Sequence, residues 1–204
     1  MKKKVLSLIL SAVLLLCIIP FGAAAAIVTE FAVVKTGAWY DDAVDYAAVN
    51  GLFTGTSSPT FIPNTAMTRG MFVTVIGKKA GVSEFYGRTE TAPFHDVTQD
   101  KYFFPYASWA NDNGIVSGVG NNLFAPSRSV SREEMATIFF NFAKFAGYDM
   151  SYSDSKYAAF FDTGKVSSYA VNPFKWAVTH GVLSGSDGKL EPKGRATRAQ
   201  VAQM

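Results

Sequence analysis

Three arginines stand where an α-helix least favours them. Arg69, Arg132 and Arg198 each follow a Thr or Ser that reads as a helix N-cap, in the stretches Met67–Ile76, Val130–Phe140 and Ala196–Met204. In the middle copy, Ser131 and Glu134 have the spacing of a capping box. The positive end of the helix dipole disfavours a cation in the first turn. An arginine that recurs there needs a negative partner, inside the protein or outside it, or else is an ordinary surface residue. Asp96 and Asp162 lie upstream in matching segments, Pro93–Val97 and Phe160–Gly164, and Val33 stands at that position in the first copy. Internal pairs, Arg132 with Asp96 and Arg198 with Asp162, are one reading. Trp39, Tyr102 and Tyr169 also recur, each 12 residues before a glycine. Their rings suit either stacking on the apolar face of a sugar or core packing.

The elements that position these residues repeat three times. Tyr46–Gly55, Trp109–Gly118 and Trp176–Gly185 match, with glycine pairs at 51 and 55, 114 and 118, 181 and 185, so the offsets are 63 and 67. A proline follows in each copy (Pro63, Pro126, Pro192), and the arginine lies 18, 18 and 17 residues beyond the first glycine. In the first copy, apolar residues at 43, 46, 47 and 49 predict an amphipathic helix. The glycine that follows it suits a left-handed C′ position. Trp109 and Trp176 fall on the matching helix face and read as core. The second helix begins at the Thr or Ser cap and carries an apolar stripe: Met71, Phe72, Val75 and Ile76 in copy one, Met135, Ile138, Phe139 and Phe142 in copy two. One helix–loop–helix cannot bury its own face, so the three units must pack together. The predicted fold is mainly α with only tiny strands. The units run over 27–82, 92–147 and 158–204, separated by polar spacers at Ser83–Ala92 and Gly147–Ala159. About seven residues remain for the last helix, which reads as cut short.

Residues 1–26 read as a secretory signal peptide: Lys2–Lys4, an apolar run from Val5 to Phe21, then Ala23–Ala25 as a cleavage site. The chain has 19 Lys+Arg against 16 Asp+Glu, and the leader holds three of the lysines, so the mature chain is balanced at 16 of each. Nothing basic remains to suggest nucleic acid. Cys17 is the single cysteine and leaves with the leader, which excludes disulfides and thiol chemistry from the exported part. His95, His180 and the Asp41, Asp42, Asp45 group lack metal-ligand spacing. His95 reads as a polar loop residue and the aspartates as the exposed start of the first helix. No nucleophile, phosphate-loop or cofactor motif is present, so no enzyme chemistry and no cofactor are expected.

The ordered set of motifs resembles the S-layer homology domain. An aromatic-x-Asp segment, an aromatic, a helix, Asn/His-Gly-apolar-x-x-Gly and a turn ending in proline lead to Thr68-Arg69-Gly70-Met71, Ser131-Arg132-Glu133-Glu134 and Thr197-Arg198-Ala199-Gln200. The resemblance covers nearly all of the mature chain. It implies three modules in a pseudo-threefold bundle, with grooves between neighbours. It also implies a non-catalytic anchor that binds secondary cell-wall polysaccharide, often bearing pyruvate ketals and hence carboxylates. A secreted wall-active enzyme or its pro-segment, represented here only by such modules, is the alternative. The implied location is the cell wall or surface, with S-layer or cargo-domain neighbours and no membrane contact after leader cleavage. The implied polysaccharide-binding residues are Arg69, Arg132, Arg198, Asp96, Asp162, Trp39, Tyr102, Tyr169, Gly118 and Gly185. Arginine has a planar fork suited to a carboxylate, and a helix N-terminus offers free N–H groups to an anion. The two donor sets are thus expected on one spot, with repeat 2 the best binder. Because the cation opposes the dipole, replacing it is expected to leave helix stability almost unchanged.

Overall fold

The computed structural model describes residues 34, 37–53, 61–87 and 91–204. The leader, Val33 and Gly55 lie outside the described residues. Seven α-helices run through the described part: α1 (Asp41–Val49), α2 (Arg69–Lys79), α3 (Phe104–Asp112), α4 (Arg132–Phe145), α5 (Asp154–Ala158), α6 (Val171–Thr179) and α7 (Arg198–Ala202). The fold is mainly α, and the β structure among the described residues is confined to isolated bridges.

The first helix of each unit (α1, α3, α6) stops for the same local reason. Asn50, Asn113 and His180 are the C-caps, and Gly51, Gly114 and Gly181 follow with φ of +65°, +66° and +70°. Only glycine adopts that left-handed C′ geometry without steric cost. The second helices (α2, α4, α7) start from extended Thr68, Ser131 and Thr197, whose side-chain oxygens accept the N–H groups of Met71, Glu134 and Gln200. The capping box is complete at Ser131–Glu134 and also at Thr197–Gln200.

Packing is cyclic. The second helix of each unit lies on the first helix of the next: α2 on α3, α4 on α6, and α7 back on α1. Gly77 permits the first of these contacts, since a Cβ there would meet Tyr106 Cδ1 at 2.5 Å. At the centre, the residues just before the three caps close a ring of backbone hydrogen bonds. Met67 N–H donates to the Ala196 carbonyl at 2.9 Å, Ala196 N–H to Val130 at 3.0 Å, and Val130 N–H to Met67 at 2.9 Å. All three residues are buried. Three equivalent extended segments close such a ring only if the units are related by near-threefold symmetry.

Three expectations need correction. In α1 the buried pair is Val44 and Ala47, while Tyr46 and Val49 are 53% and 69% exposed. The helix faces its neighbour with an i, i+3 pair, and the Tyr46 hydroxyl instead accepts the Lys79 ammonium at 2.9 Å. The second spacer is not merely polar, because it contains α5, whose Tyr157 is buried and donates its hydroxyl to the Thr163 carbonyl at 3.3 Å. The third lies at the helix starts, whose N–H groups are not free. Trp109 and Trp176 are buried as expected, and His95 lies exposed in a turn. α7 spans five residues, and an apolar cleft of about 450 Å³ opens beside its end, away from the arginines.

Candidate functional site: grooves between units

Each arginine leaves the first turn of its own helix and inserts into the next unit. Nε of Arg69 donates to the Phe124 carbonyl at 2.8 Å, Nε of Arg132 to Leu190 at 2.7 Å, and Nε of Arg198 to Phe61 at 2.7 Å. Nη2 of Arg69 and of Arg132 donate again, to Ser117 at 3.1 Å and Ser184 at 3.2 Å. The three residues are only 4%, 6% and 2% exposed. Burial weakens the charged form of each guanidinium, but arginine starts so basic that all three stay cationic.

The receiving turn is strained, and in the second and third units a carboxylate holds it. Ile62, Ala125 and Glu191, each followed by proline, have φ of 49°, 56° and 51°. Non-glycine residues resist that conformation, β-branched isoleucine most. Asp96 accepts the N–H groups of Phe124 and Ala125, both at 2.8 Å, and Asp162 those of Leu190 and Glu191, both at 2.8 Å. Burial alone would raise the Asp162 carboxyl, but the two backbone donors bring it below the ordinary range. The aspartate holds the amide side of the turn, and the arginine of the preceding unit takes its carbonyl. The aspartates therefore do not pair with arginines inside their own unit, which removes the Arg132–Asp96 and Arg198–Asp162 pairs.

The helix starts offer an anion no free backbone. The N–H groups of Arg69, Arg132 and Arg198 donate to Arg128, Gly194 and Thr65 carbonyls, and those of Gly70, Glu133 and Ala199 to Pro126, Pro192 and Pro63. The caps take the third N–H of each helix. The expectation of free N–H donors beside the arginine is wrong, because unit packing satisfies the groups a lone helix would leave open.

What remains open is a groove beside Arg69 and another beside Arg132. One groove, of about 550 Å³, is lined by Arg69, the loop with Ser117 and Gly118, α4 residues including Glu134 and Asn141, Arg128, and Tyr169. The other, of about 320 Å³, is lined by Arg132, the loop with Ser184 and Gly185, Glu191, Gln200, and Trp39. Both follow one plan: an arginine from one unit, the glycine loop and second helix of the next, and the aromatic of the remaining unit. Gly118 and Gly185 let the loop close on itself, since a Cβ would lie 2.7 Å from the Leu123 carbonyl oxygen and 2.5 Å from that of Lys189. Trp39, Tyr102 and Tyr169 are 63%, 58% and 54% exposed, so none serves the core. For Arg198 the corresponding loop, residues 54–60, lies outside the described residues.

Several participants escaped sequence reasoning. Glu133, 5% exposed, accepts Ser167 N–H, Ser167 Oγ and Tyr169 Oη, each at 3.1 Å, and Lys193 Nζ at 2.6 Å. Burial would raise this carboxyl, yet Lys193 and the other donors hold it below the usual range. Burial and then the Glu133 charge push the Tyr169 phenol up. Glu134 is more than a cap. It also meets Arg69 Nη1 at 3.4 Å and both Nη atoms of Arg128. The residue types at 133, 134 and 128 differ among the three units, so a search for repetition passes over them. Among the described residues no cluster of three or more His, Cys, Asp or Glu could hold a metal, and no helix is long and apolar enough to cross a membrane.

This architecture agrees with comparisons to known proteins. The S-layer homology domain model matches residues 33–70, 93–136 and 159–202. The chain is similar to an endoglucanase of Bacillus sp., 26% identical over 175 residues, 85% of this chain and 18% of that protein. It is similar to exoglucanase XynX of Acetivibrio thermocellus, 29% identical over 171 residues, 81% of this chain and 15% of that protein. The S-layer protein sap of Bacillus anthracis is 23% identical over 166 residues, 81% of this chain and 19% of that protein. The chain thus spans less than a fifth of the length of these relatives. The family and its surface-layer relatives place the chain outside the cytoplasm, at the cell wall or cell surface. With three matches over more than half its length, each beginning ahead of a helix pair and ending inside its second helix, the chain belongs to the S-layer homology domain family as three tandem modules.

Proposed function

We propose that this chain is a non-catalytic anchor that holds an exported protein to anionic, pyruvylated secondary cell-wall polysaccharide, through the grooves between its units. The observation that carries the reading is the pairing, in both described grooves, of an exposed aromatic ring with a buried arginine from a different unit. A ring suits the apolar face of a sugar. A guanidinium in a recess, with its carbon stem shielded, suits a carboxylate more strongly than one in open water. Asp96, Asp162, Gly118 and Gly185 shape the loop in this reading rather than touching the glycan. Trp39, Tyr102 and Tyr169 do touch it.

The relatives named as glucanases favour a second reading of the whole protein: the cargo is a wall-active or polysaccharide-degrading enzyme and these modules are its attachment. The anchoring role of the modules is the same in both.

The test is sedimentation of the mature chain with purified wall sacculi, before and after chemical removal of the secondary polymer. Binding is expected only before removal. Trp39→Ala is expected to lower the apparent affinity about tenfold at an unchanged thermal midpoint, as truncation of an interface aromatic costs ~1–2 kcal/mol. Equal binding to stripped sacculi would overturn the reading.

A further inference from the structure

The two described grooves share a plan but not a charge arrangement, and the position whose carboxylate meets the groove arginine is one of the differences. Glu134 and Gln200 are equivalent: each is the third residue of its helix, and each closes a capping box by accepting the N–H of Ser131 or Thr197, at 2.9 Å and 3.1 Å. Glu134 does a second thing that Gln200 does not. Its carboxylate lies between Arg69 Nη1, at 3.4 Å, and the Arg128 guanidinium. The Arg69 groove therefore already contains a carboxylate bound to its arginine. Burial would raise the Glu134 carboxyl, but Arg128, Ser131 N–H and Arg69 bring it below the ordinary range, so it is ionised at neutral pH.

The Arg132 groove lacks this. Gln200 is neutral, and Gly194 occupies the position equivalent to Arg128. Arg132 uses Nε and Nη2 on the Leu190 and Ser184 carbonyls. Its Nη1 has no hydrogen-bond or ion-pair partner among the described residues, although the residue is 6% exposed and lines the groove. Asp162 and Glu191 act on it only at longer range, and Asp162 is held by two backbone N–H groups. A buried guanidinium that lines a recess and has one unpartnered donor is a prepared anion site.

We infer that residue 134 or 200 decides which groove accepts an anion: Gln200 leaves the Arg132 groove open to a carboxylate, and Glu134 closes the Arg69 groove with a carboxylate of its own. The inference rests on the glycan-binding reading and adds a specificity to it. The Arg132 groove takes an acidic sugar, and the Arg69 groove takes a neutral one or requires Glu134 to be displaced.

The test is side-chain NMR of the mature chain with isotope-labelled arginine. The probe is a methyl hexoside carrying a pyruvate ketal, and its carboxyl methyl ester is the uncharged match. In wild type the ketal is expected to shift the Arg132 guanidinium signals and leave those of Arg69 in place, and the ester to shift neither. Glu134→Gln should bring Arg69 into the titration, and Gln200→Glu should weaken the Arg132 response by about tenfold or more, the size of one charge-assisted contact. Both swaps keep an oxygen that accepts the cap N–H, so the helix starts stay intact, and Glu134→Gln is expected to lower the thermal midpoint only by the loss of its Arg69 and Arg128 pairs. Equal response of both arginines in wild type, or no change on either swap, overturns this inference and leaves the anchoring reading intact, provided the chain still binds purified wall polysaccharide. If it binds neither ketal nor polysaccharide, the anchoring reading falls with it.

Discussion

Replacing Arg132 by Met gives the most direct measure of what the inserted arginines do. The substitution keeps the apolar stem and removes two bonds, from Nε to Leu190 at 2.7 Å and from Nη2 to Ser184 at 3.2 Å. Both acceptors are backbone carbonyls, and the residue is 6% exposed, so water replaces the donors poorly. A hydrogen bond from a charged donor is worth ~1.5–3 kcal/mol, which puts the loss at about 3–6 kcal/mol. For a domain of this size the midpoint falls roughly 2–4 °C per kcal/mol, so a drop of about 6–24 °C is expected. Arg132→Lys supplies one donor group in place of a fork and should fall between the two. Arg128→Ala is the control, because its side chain is 47% exposed and exposed ion pairs contribute ~1 kcal/mol or less. The assay is thermal unfolding followed by calorimetry and near-UV circular dichroism at neutral pH. The dipole argument alone expects almost no change, because the cation opposes its own helix. A midpoint for Arg132→Met within about 2 °C of wild type would show that the arginine does not hold the units together.

Three further outcomes are expected. The carboxyls of Glu133, Glu134 and Asp162 are held below their ordinary range in the folded state, so the stability they contribute is complete above the unfolded value of about 4.3 for glutamate and 3.9 for aspartate and is lost as pH falls further. Melts from pH 7 to 3 should show a flat midpoint and then a decline, and Glu133→Gln should make that decline shallower. Gly185→Ala places a Cβ 2.3 Å from Phe160 Cε1 and 2.5 Å from the Lys189 carbonyl oxygen, so it should cost about 1–3 kcal/mol in denaturant unfolding. Gly164→Ala, with nothing within 4 Å and no positive φ, should stay within about 0.5 kcal/mol. Exported material is expected to begin near Ala26 or Ile27, and N-terminal sequencing that finds Met1 intact would refute the leader.

Much of this molecule was present in its one-dimensional pattern. The recurrence of glycine, proline and arginine located three helix pairs. The C′ glycines at 51, 114 and 181 act as local chemistry requires, because a left-handed residue after a helix is a demand of the chain itself. The caps at Thr68, Ser131 and Thr197 are equally local. Periodicity assigned Trp109 and Trp176 to the core, although it misjudged the rotation of α1, whose neighbours are set by units far away in sequence. The types of the site residues were also legible, since arginine, aspartate and aromatic recur in order.

Their partners were not. Arg69 meets Phe124, Arg132 meets Leu190, and Arg198 meets Phe61 across separations that no helical or strand period connects. Pairing within a unit and pairing between units leave the same spacing in the sequence. Only cyclic closure decides between them, by bringing the strained turn of one unit against the first helical turn of another. The same closure supplies carbonyls to the N–H groups that a lone helix would leave for an anion. It also brings Glu134 onto Arg69 and leaves one Arg132 donor without a partner among the described residues. The order of residues along the chain sets the units and the kinds of group they carry. The tertiary structure decided which groups are consumed in holding the units together and which face a groove, because that division depends on distances between residues that the chain places far apart.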